Sequence, residues 1–346
     1  MHRKPTIRDI AREAGVSDTA VSLSFQQNSR VSAATRERIL SVARRLNYFP
    51  NRSARNLRSG DSRAIGFVVI EITNPFYSRM IRSAERIALG LGYDILFAES
   101  YWDPQKEIRI VSNMIESRVA GILMCFSENT RESLSLIEQS RLPLIAVDTC
   151  PRFYKGPYVA NALASAGRMA AEHLYQAGCR HLVFFNASVA MSRFSSFQLL
   201  LKGFREGLRS KGMRPSDLAV LNADWTIEGG IAGFDGLLSS GRPFDGIFCV
   251  NDLCAFGVMD AAERAGYKAG KDFAIMGIDN LEIGGISRIS LTSIDQPYDH
   301  IIELAVQSMI ESIENNQPCT VRRRLKPTLI MRESTNLQRL STRTGE

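Results

Sequence analysis

From residue 64 onward the chain repeats one pattern, a short and continuously apolar run followed by a longer amphipathic stretch. Residues 65–70 form the first run and a helical pattern over about 76–91 follows it; residues 93–98 form the second, with a helical pattern near 104–117. Residues 121–125 and 143–147 continue the series, and a second series follows at 181–185, 246–250 and 273–277. Strands that are apolar along their whole length have no face to give to water. They therefore belong to parallel sheets covered by helices on both sides. Two series imply two lobes, with a cleft where strand ends and loops converge.

The first 63 residues differ. They hold 13 Lys and Arg against 5 acids, a net +8, whereas the whole chain of 346 residues is +7. The other 283 residues thus sum to −1, and all of the basic excess stands where a polyanion would be met.

This basic segment also has helical periodicity, which a solvated tail lacks. Thr6-Ile7-Arg8-Asp9 is a capping box that opens a helix with Ile7, Ile10, Ala11 and Ala14 on one face. Gly15 breaks it, as the tight turn of a helix-turn-helix requires. Ser17 caps a second helix through about Phe25, with Ala20, Val21 and Ser24 packing inward. Arg30 stands in a loop, and Ser32 caps a third helix with Ile39, Val42, Ala43 and Leu46 as its apolar stripe. The start of the second helix is the part that enters a major groove, which puts Asp18, Thr19, Ser22 and Leu23 toward DNA. Thr6, Ser17, Ser22, Ser32 and Thr35 offer hydroxyls or helix N-termini to phosphates, contacts that fix register rather than sequence.

In order along the chain stand Thr6-Ile7-Arg8-Asp9-Ile10-Ala11, Ala14-Gly15-Val16-Ser17, Val21-Ser22, Arg30-Val31-Ser32, Thr35-Arg36 and Leu46-Asn47-Tyr48 before Pro50-Asn51. This run closely resembles the head of LacI/GalR-family repressors. Residues 50–58 resemble that family's hinge, where a helix carrying Asn51, Ala54 and Leu57 orders on operator DNA and the Leu wedges into the minor groove. The later motifs Asn74-Pro75-Phe76, Ala120-Gly121-Ile122, Glu172-His173-Leu174, Asn251-Asp252, Gly277-Ile278-Asp279 and Leu291-Thr292-Ser293-Ile294 also stand in the family's order. The resemblance covers roughly residues 5–335 and implies a small all-α helix-turn-helix domain (1–49), a hinge and linker (50–62), a two-lobed α/β periplasmic-binding-protein-like core with parallel sheets (63–338) and a tail (339–346). Its lobes are expected at about 63–161 plus 293–323, and 162–290 plus 325–338.

Function follows as an expectation: a transcriptional regulator, a repressor with activation and corepression as the alternatives, whose affinity for near-palindromic operator DNA is set by a small-molecule effector, a sugar or related metabolite. By the same resemblance the effector meets Asn74, Phe76, Asp148, Trp225, Asn251, Asp279 and Tyr298. Simple alternatives stand beside these roles: core packing for Trp225, a turn cap for Asp148, and a helix cap for Asn251 and Asp252. The chain departs from the family at Asp18, Ala20 and Leu23 in the reading helix, so the operator sequence is not transferable. It also has Leu200 where the family clamps its effector with Arg; Arg193, or alternatively Arg168, is the candidate to take that place.

Other classes find little in the sequence. No Gly-x-Ser-x-Gly, Gly-x-x-x-x-Gly-Lys or His-Glu-x-x-His motif occurs, the four His are far apart, and no enzyme activity, cofactor or metal is expected. The six Cys (125, 150, 179, 249, 254, 319) form no Cys-x-x-Cys pair and read as reduced small hydrophobes. The opening Met1-His2-Arg3-Lys4-Pro5 leads straight into the first helix pattern and no run approaches ~18 apolar residues, so a cytoplasmic location without membrane contact is expected. The tail lacks a leucine heptad, which favours a homodimer over a tetramer.

Overall fold

A computed structural model of the chain describes residues 5–25, 30–48, 62–127 and 131–337. It divides into two compact units, Met1–Ser62 and Arg63–Glu346. In the first unit, α1 (Ile7–Ala14), α2 (Asp18–Ser24) and α3 (Ala33–Arg45) enclose a small core of Ile10, Ala11, Ala14, Val21, Ile39, Val42 and Ala43. Both halves of the capping box at Thr6 and Asp9 are formed, and Gly15 ends α1 at φ 64°. A left-handed backbone there is cheap only for glycine. Ile7 and Leu46 pack against this core without being fully buried, and Ala20 is half-buried. The Arg36 guanidinium donates to the Ser24 carbonyl at 2.9 Å and so ties α3 to the end of α2.

The second unit contains two six-stranded sheets. The strands of the first are β1 (Ala64–Val69), β2 (Asp94–Glu99), β3 (Gly121–Met124), β4 (Leu144–Asp148), β5 (Tyr158–Asn161) and, from far along the chain, β11 (Arg322–Leu325). Their order is β11-β5-β4-β3-β1-β2, all parallel. The second sheet consists of β6 (Leu182–Asn186), β7 (Leu218–Asn222), β8 (Gly246–Cys249), β9 (Ala274–Ile278), β10 (Thr292–Asp295) and β12 (Thr328–Ile330). Its order is β12-β10-β9-β8-β6-β7, with β12 the antiparallel member. Helices α4 (Pro75–Gly90), α5 (Pro104–Glu116), α6 (Arg131–Ser140) and α11 (Tyr298–Glu314) cover the first sheet. The second is covered by α7 (Leu163–Gln176), α8 (Ser195–Ser210), α9 (Ile227–Ser239) and α10 (Asp252–Arg264). Among the described residues, no helix is long and apolar enough to cross a membrane.

Two expectations change. The return to the first lobe was placed at 293, but β10 pairs with β9 in the second sheet, so the chain crosses back only after Asp295. The run at 93–98 is apolar like the others, yet β2 is an edge strand, with Leu96 and Phe97 44% and 48% exposed. Periodicity reports how apolar a strand is and not whether a neighbour covers it.

The second lobe is held by unusually close helix contacts. A Cβ on Gly167 would strike the Leu200 carbonyl and one on Gly203 the Ala164 carbonyl, so α7 and α8 meet backbone to backbone. Gly230 and Gly257 play the same reciprocal part between α9 and α10. Because the obstructing atoms are backbone, Gly167→Ala and Gly203→Ala are each expected to cost about 1–3 kcal/mol in urea unfolding. Gly236→Ala, which has open space around its Cβ, is expected to stabilise by roughly 0.5–1 kcal/mol through lower chain entropy.

Candidate functional site

The first unit presents the start of α2 at its surface. Asp18 and Thr19 are exposed, while Ser22 and Leu23 are half-exposed. Asp18 pairs with the more exposed Arg8 at 3.6 Å, which offsets the charge that an acid would otherwise present to phosphates. The hydroxyls of Thr6, Ser17 and Ser32 are engaged as caps, accepting from the amides of Asp9, Ala20 and Thr35. What these positions turn outward is therefore the positive end of each helix. Ser32 also donates its hydroxyl proton to Thr35 Oγ1 at 2.9 Å, a bond that leaves the Thr35 O–H as a donor. Arg30 is exposed, and Asn51, Ala54 and Leu57 lie outside the described residues.

In the second unit, the carboxyl ends of both sheets converge on a cavity of about 90 Å³. Glu71 follows β1, Trp102 follows β2, Asp148 ends β4, Trp225 follows β7, Asn251 follows β8, Asp279 follows β9 and Gln296 follows β10. The Trp225 indole donates to Glu71 Oε2 at 2.8 Å, joining the lobes across the cleft. Beside it Trp102 of the first lobe stacks on Phe194 of the second, centroids 5.1 Å apart, and also meets Phe197 and Trp225. Arg79 on α4 reaches over to the Asn280 carbonyl at 3.0 Å while its guanidinium lies 4.3 Å from the Tyr298 ring centroid.

Asp148 and Asp279 sit in left-handed backbone, at φ 67° and 113°. Such conformations cost an L-residue about 1–3 kcal/mol and persist where surrounding structure fixes them. Asp148 accepts from Asn161 at 2.7 Å and from Tyr77, yet burial still pushes its carboxyl up to about 6. Asp279 accepts from Gln296 at 2.6 Å and from Asn74 of the opposite lobe, and burial, then neighbouring Asp252, pushes it up as well. Asp252 is fully buried and raised by burial to about 7. It accepts from the Leu281 amide at 2.7 Å and Ser293 at 2.6 Å, fixing the loop that carries Asp279. This is more than the helix cap weighed for it, because the capping oxygen belongs to Asn251. The cavity lining includes Glu71, Asp148 and Asp279 and no Lys or Arg.

Of the expected effector residues, Asn74, Phe76, Asp148, Trp225, Asn251 and Asp279 are brought together. Two are not. Arg193 is exposed on the short 3-10 turn Met191–Arg193 and does not line the cavity, because α8 begins just beyond it and carries Leu200 inward instead. The alternative, Arg168, is bound to Glu206 at 2.9 Å on the outer surface. Tyr298 is covered by Arg79 and by the edge of Phe76, and it stands behind the lining. Asn251 lines the cavity with its amide already used, Oδ1 by the Cys254 amide and Nδ2 by the Trp225 carbonyl. It thereby positions Trp225, and one N–H of its amide remains beyond these two bonds. Glu71, Trp102, Tyr77, Phe197 and Gln296 were not anticipated. For Glu71 a signal existed: it is a polar residue just past the end of an apolar strand, whereas Gln296 follows the polar strand Thr292–Asp295.

Comparison with known proteins agrees with both units. Residues 6–51 match the model of bacterial regulatory proteins of the lacI family, and residues 171–335 match a periplasmic binding protein-like domain. Catabolite control protein A of Priestia megaterium is 30% identical over 295 residues, 85% of this chain and 88% of that protein. The ribose operon repressor of Escherichia coli (strain K12) is 28% identical over 329 residues, 95% of this chain and 98% of that one. The lac repressor dimer bound to operator and the anti-inducer ONPF shares the fold, with a TM-score of 0.83 at 23% identity over 96% of this chain and 99% of that one. With a capped helix-turn-helix unit followed by two parallel-sheet lobes around an acidic, aromatic cleft, the chain belongs to the lacI family of bacterial regulatory proteins.

Proposed function

We propose that the protein is a cytoplasmic, homodimeric, sequence-specific DNA-binding repressor whose operator affinity is set by a small molecule held between its two lobes. The observation that carries this reading is the presence, in one chain, of a helix-turn-helix unit and a cleft built from the carboxyl ends of two parallel sheets. Relatives named as a ribose operon repressor and as a lac repressor on its operator support the same role. It contains no catalytic step: the cleft acids are held by Asn, Gln and Tyr donors, an arrangement suited to accepting hydroxyls.

The lining narrows the effector. With Glu71, Asp148 and Asp279 present and no cation, and with Leu200 in place of the clamp, a phosphate or carboxylate on the ligand would be repelled. A neutral, hydroxyl-rich ring that stacks on Trp225 or Phe76 and donates to the carboxylates fits. Ligand sites begin near ~300 Å³, so a cavity of about 90 Å³ admits such a ring only if the lobes part. Parting breaks the Trp225–Glu71 and Arg79–Asn280 bonds. The effector thereby favours one lobe arrangement over another, which is the condition for it to act at a distance. The hinge segment carrying Asn51, Ala54 and Leu57 transmits the choice to DNA, with Asp18, Thr19, Ser22 and Leu23 reading bases and Thr6, Ser17, Arg30, Ser32 and Thr35 setting register. Exposed Leu89, Leu91, Leu96 and Phe97 on the first lobe support self-association, whose two-fold symmetry calls for a near-palindromic operator.

A thermal-shift screen of neutral sugars and polyols on the full chain, with operator selection from random DNA, tests the reading. A hit that also shifts operator affinity is expected; purified protein that selects no sequence would overturn it. Leu57→Ala is expected to weaken operator binding by at least about tenfold, ~1.4 kcal/mol, and to reduce DNA bending in gel-mobility assays. Trp225→Phe combined with Asp279→Ala should weaken the effector hit by at least about tenfold in calorimetry. Because a ligand hydroxyl donates to the ionised form, affinity should fall as the pH drops through about 6 and Asp148 takes up its proton. Asp279 acts in the same direction, and Asp148→Asn should flatten the profile.

A further inference from the structure

A second cavity, about 500 Å³, opens where the chain crosses between the lobes. Its walls are the loop after β4, the strands β5 and β11, and the start of α7. Arg152 and Lys155 enter from the loop, and Arg322 and Arg324 from β11; the lining contains no Asp or Glu. Side chains alternate along a strand, so Arg322 and Arg324 share one face while Arg323 turns to the other. Arg324 lies over the Tyr158 ring at 5.1 Å, and Arg322 donates to the Lys155 carbonyl, which holds strand and loop together. Among the described residues, none of these four cations forms an ion pair with a carboxylate. Their field converges: burial pushes the Cys150 thiol up, while Arg324, Arg322 and Lys155 pull it back down. The cavity also receives the first turn of the 14-residue α7, whose cap position, Ala162, has no side-chain oxygen to close it.

Charge on an edge strand often serves only to block pairing with another chain. That accounts for Arg323. It does not account for Arg152 and Lys155, which come from a different segment and meet Arg322 and Arg324 around one cavity of ligand size. We infer that this cavity is a second effector site, taking the phosphoryl group of a small phosphorylated metabolite. Planar guanidinium forks and an uncapped helix start match a tetrahedral, multiply charged oxyanion. The interlobe cleft, lined by acids, rejects the same group. A ligand seated here touches β5 and β11 of the first lobe and α7 and Leu199 of the second, so it biases how the lobes meet.

The test uses the full chain with inorganic phosphate, ribose 5-phosphate and ribose as probes. The protein has two tryptophans, Trp102 and Trp225, and both stand in the interlobe aromatic cluster, so their emission reports lobe arrangement. Ribose 5-phosphate is expected to bind and change that emission, with inorganic phosphate competing and ribose failing to compete at this site. Arg322→Gln/Arg324→Gln should weaken phosphate binding at least about tenfold, with cooperative thermal unfolding retained in phosphate-free buffer; Arg323→Gln should bind normally. Competition by inorganic phosphate alone, without ribose 5-phosphate, would mean a free-anion site and sink the metabolite assignment. Equal binding in the double variant, or bound phosphate that leaves tryptophan emission unchanged, overturns the proposal.

Discussion

A parallel sheet has a direction, and every functional feature of the second unit depends on it. Because all strands of β1–β5 run one way, their carboxyl ends lie along one edge, where the polypeptide must leave regular structure and turn into helices. Polar side chains placed there escape the apolar interior without reaching open water. Two such edges facing each other concentrate Glu71, Asp148, Asp279 and Gln296 in one narrow space. The left-handed backbone at Asp148 and Asp279 is a consequence of the same geometry, since the chain must bend sharply as each strand ends.

The burial that assembles this cleft also makes it electrostatically uncomfortable. Asp148, Asp252 and Asp279 lie deep, and no cation lines the cavity to balance them. Asp148 and Asp279 are sustained by neutral donors, Asn161 and Tyr77 for the first, Gln296 and Asn74 for the second, whereas Asp252, outside the lining, has Ser293, the Leu281 amide and the charges of Arg332 and Arg79. Such groups favour protons or hydrogen-bond donors from a guest over isolation. Meanwhile the positive side chains of this unit's crossing region, Arg322 and Arg324 among them, line a separate cavity. The molecule thus separates its charges by place, acids within the cleft and bases at the crossing.

Much of this was readable from the residues, and the failures have physical causes. The capping box, the break at Gly15 and the caps at Ser17 and Ser32 are local, governed by neighbours in sequence, and they appear where expected. Apolar strands were equally plain. The edge position of β2 was not, because which strand has a neighbour is decided by topology. Asn74, Phe76, Trp225 and Asp279 reach the cleft as the family resemblance implied, whereas Arg193 is excluded by where α8 begins. Trp102 had no signal of its own: its position depends on a turn at φ 58° and on aromatic partners from the other lobe.

The late crossings bear on how the protein is made. The first lobe starts at β1, yet its core is closed by Ile301, Ile302, Ala305, Val306, Met309 and Ile310 of α11, and its sheet ends on β11. A ribosome that has delivered β1 to β5 has therefore produced a sheet still lacking one cover and one edge. The second lobe is mostly contiguous, from α7 to β10, and needs only β12 to finish its sheet. Most buried residues of the second lobe have thus been synthesised by the end of β10, before α11 supplies the cover that the first lobe lacks. Until the last fifth of the core has left the ribosome, the earlier strands keep an apolar face open to solvent and to chaperones.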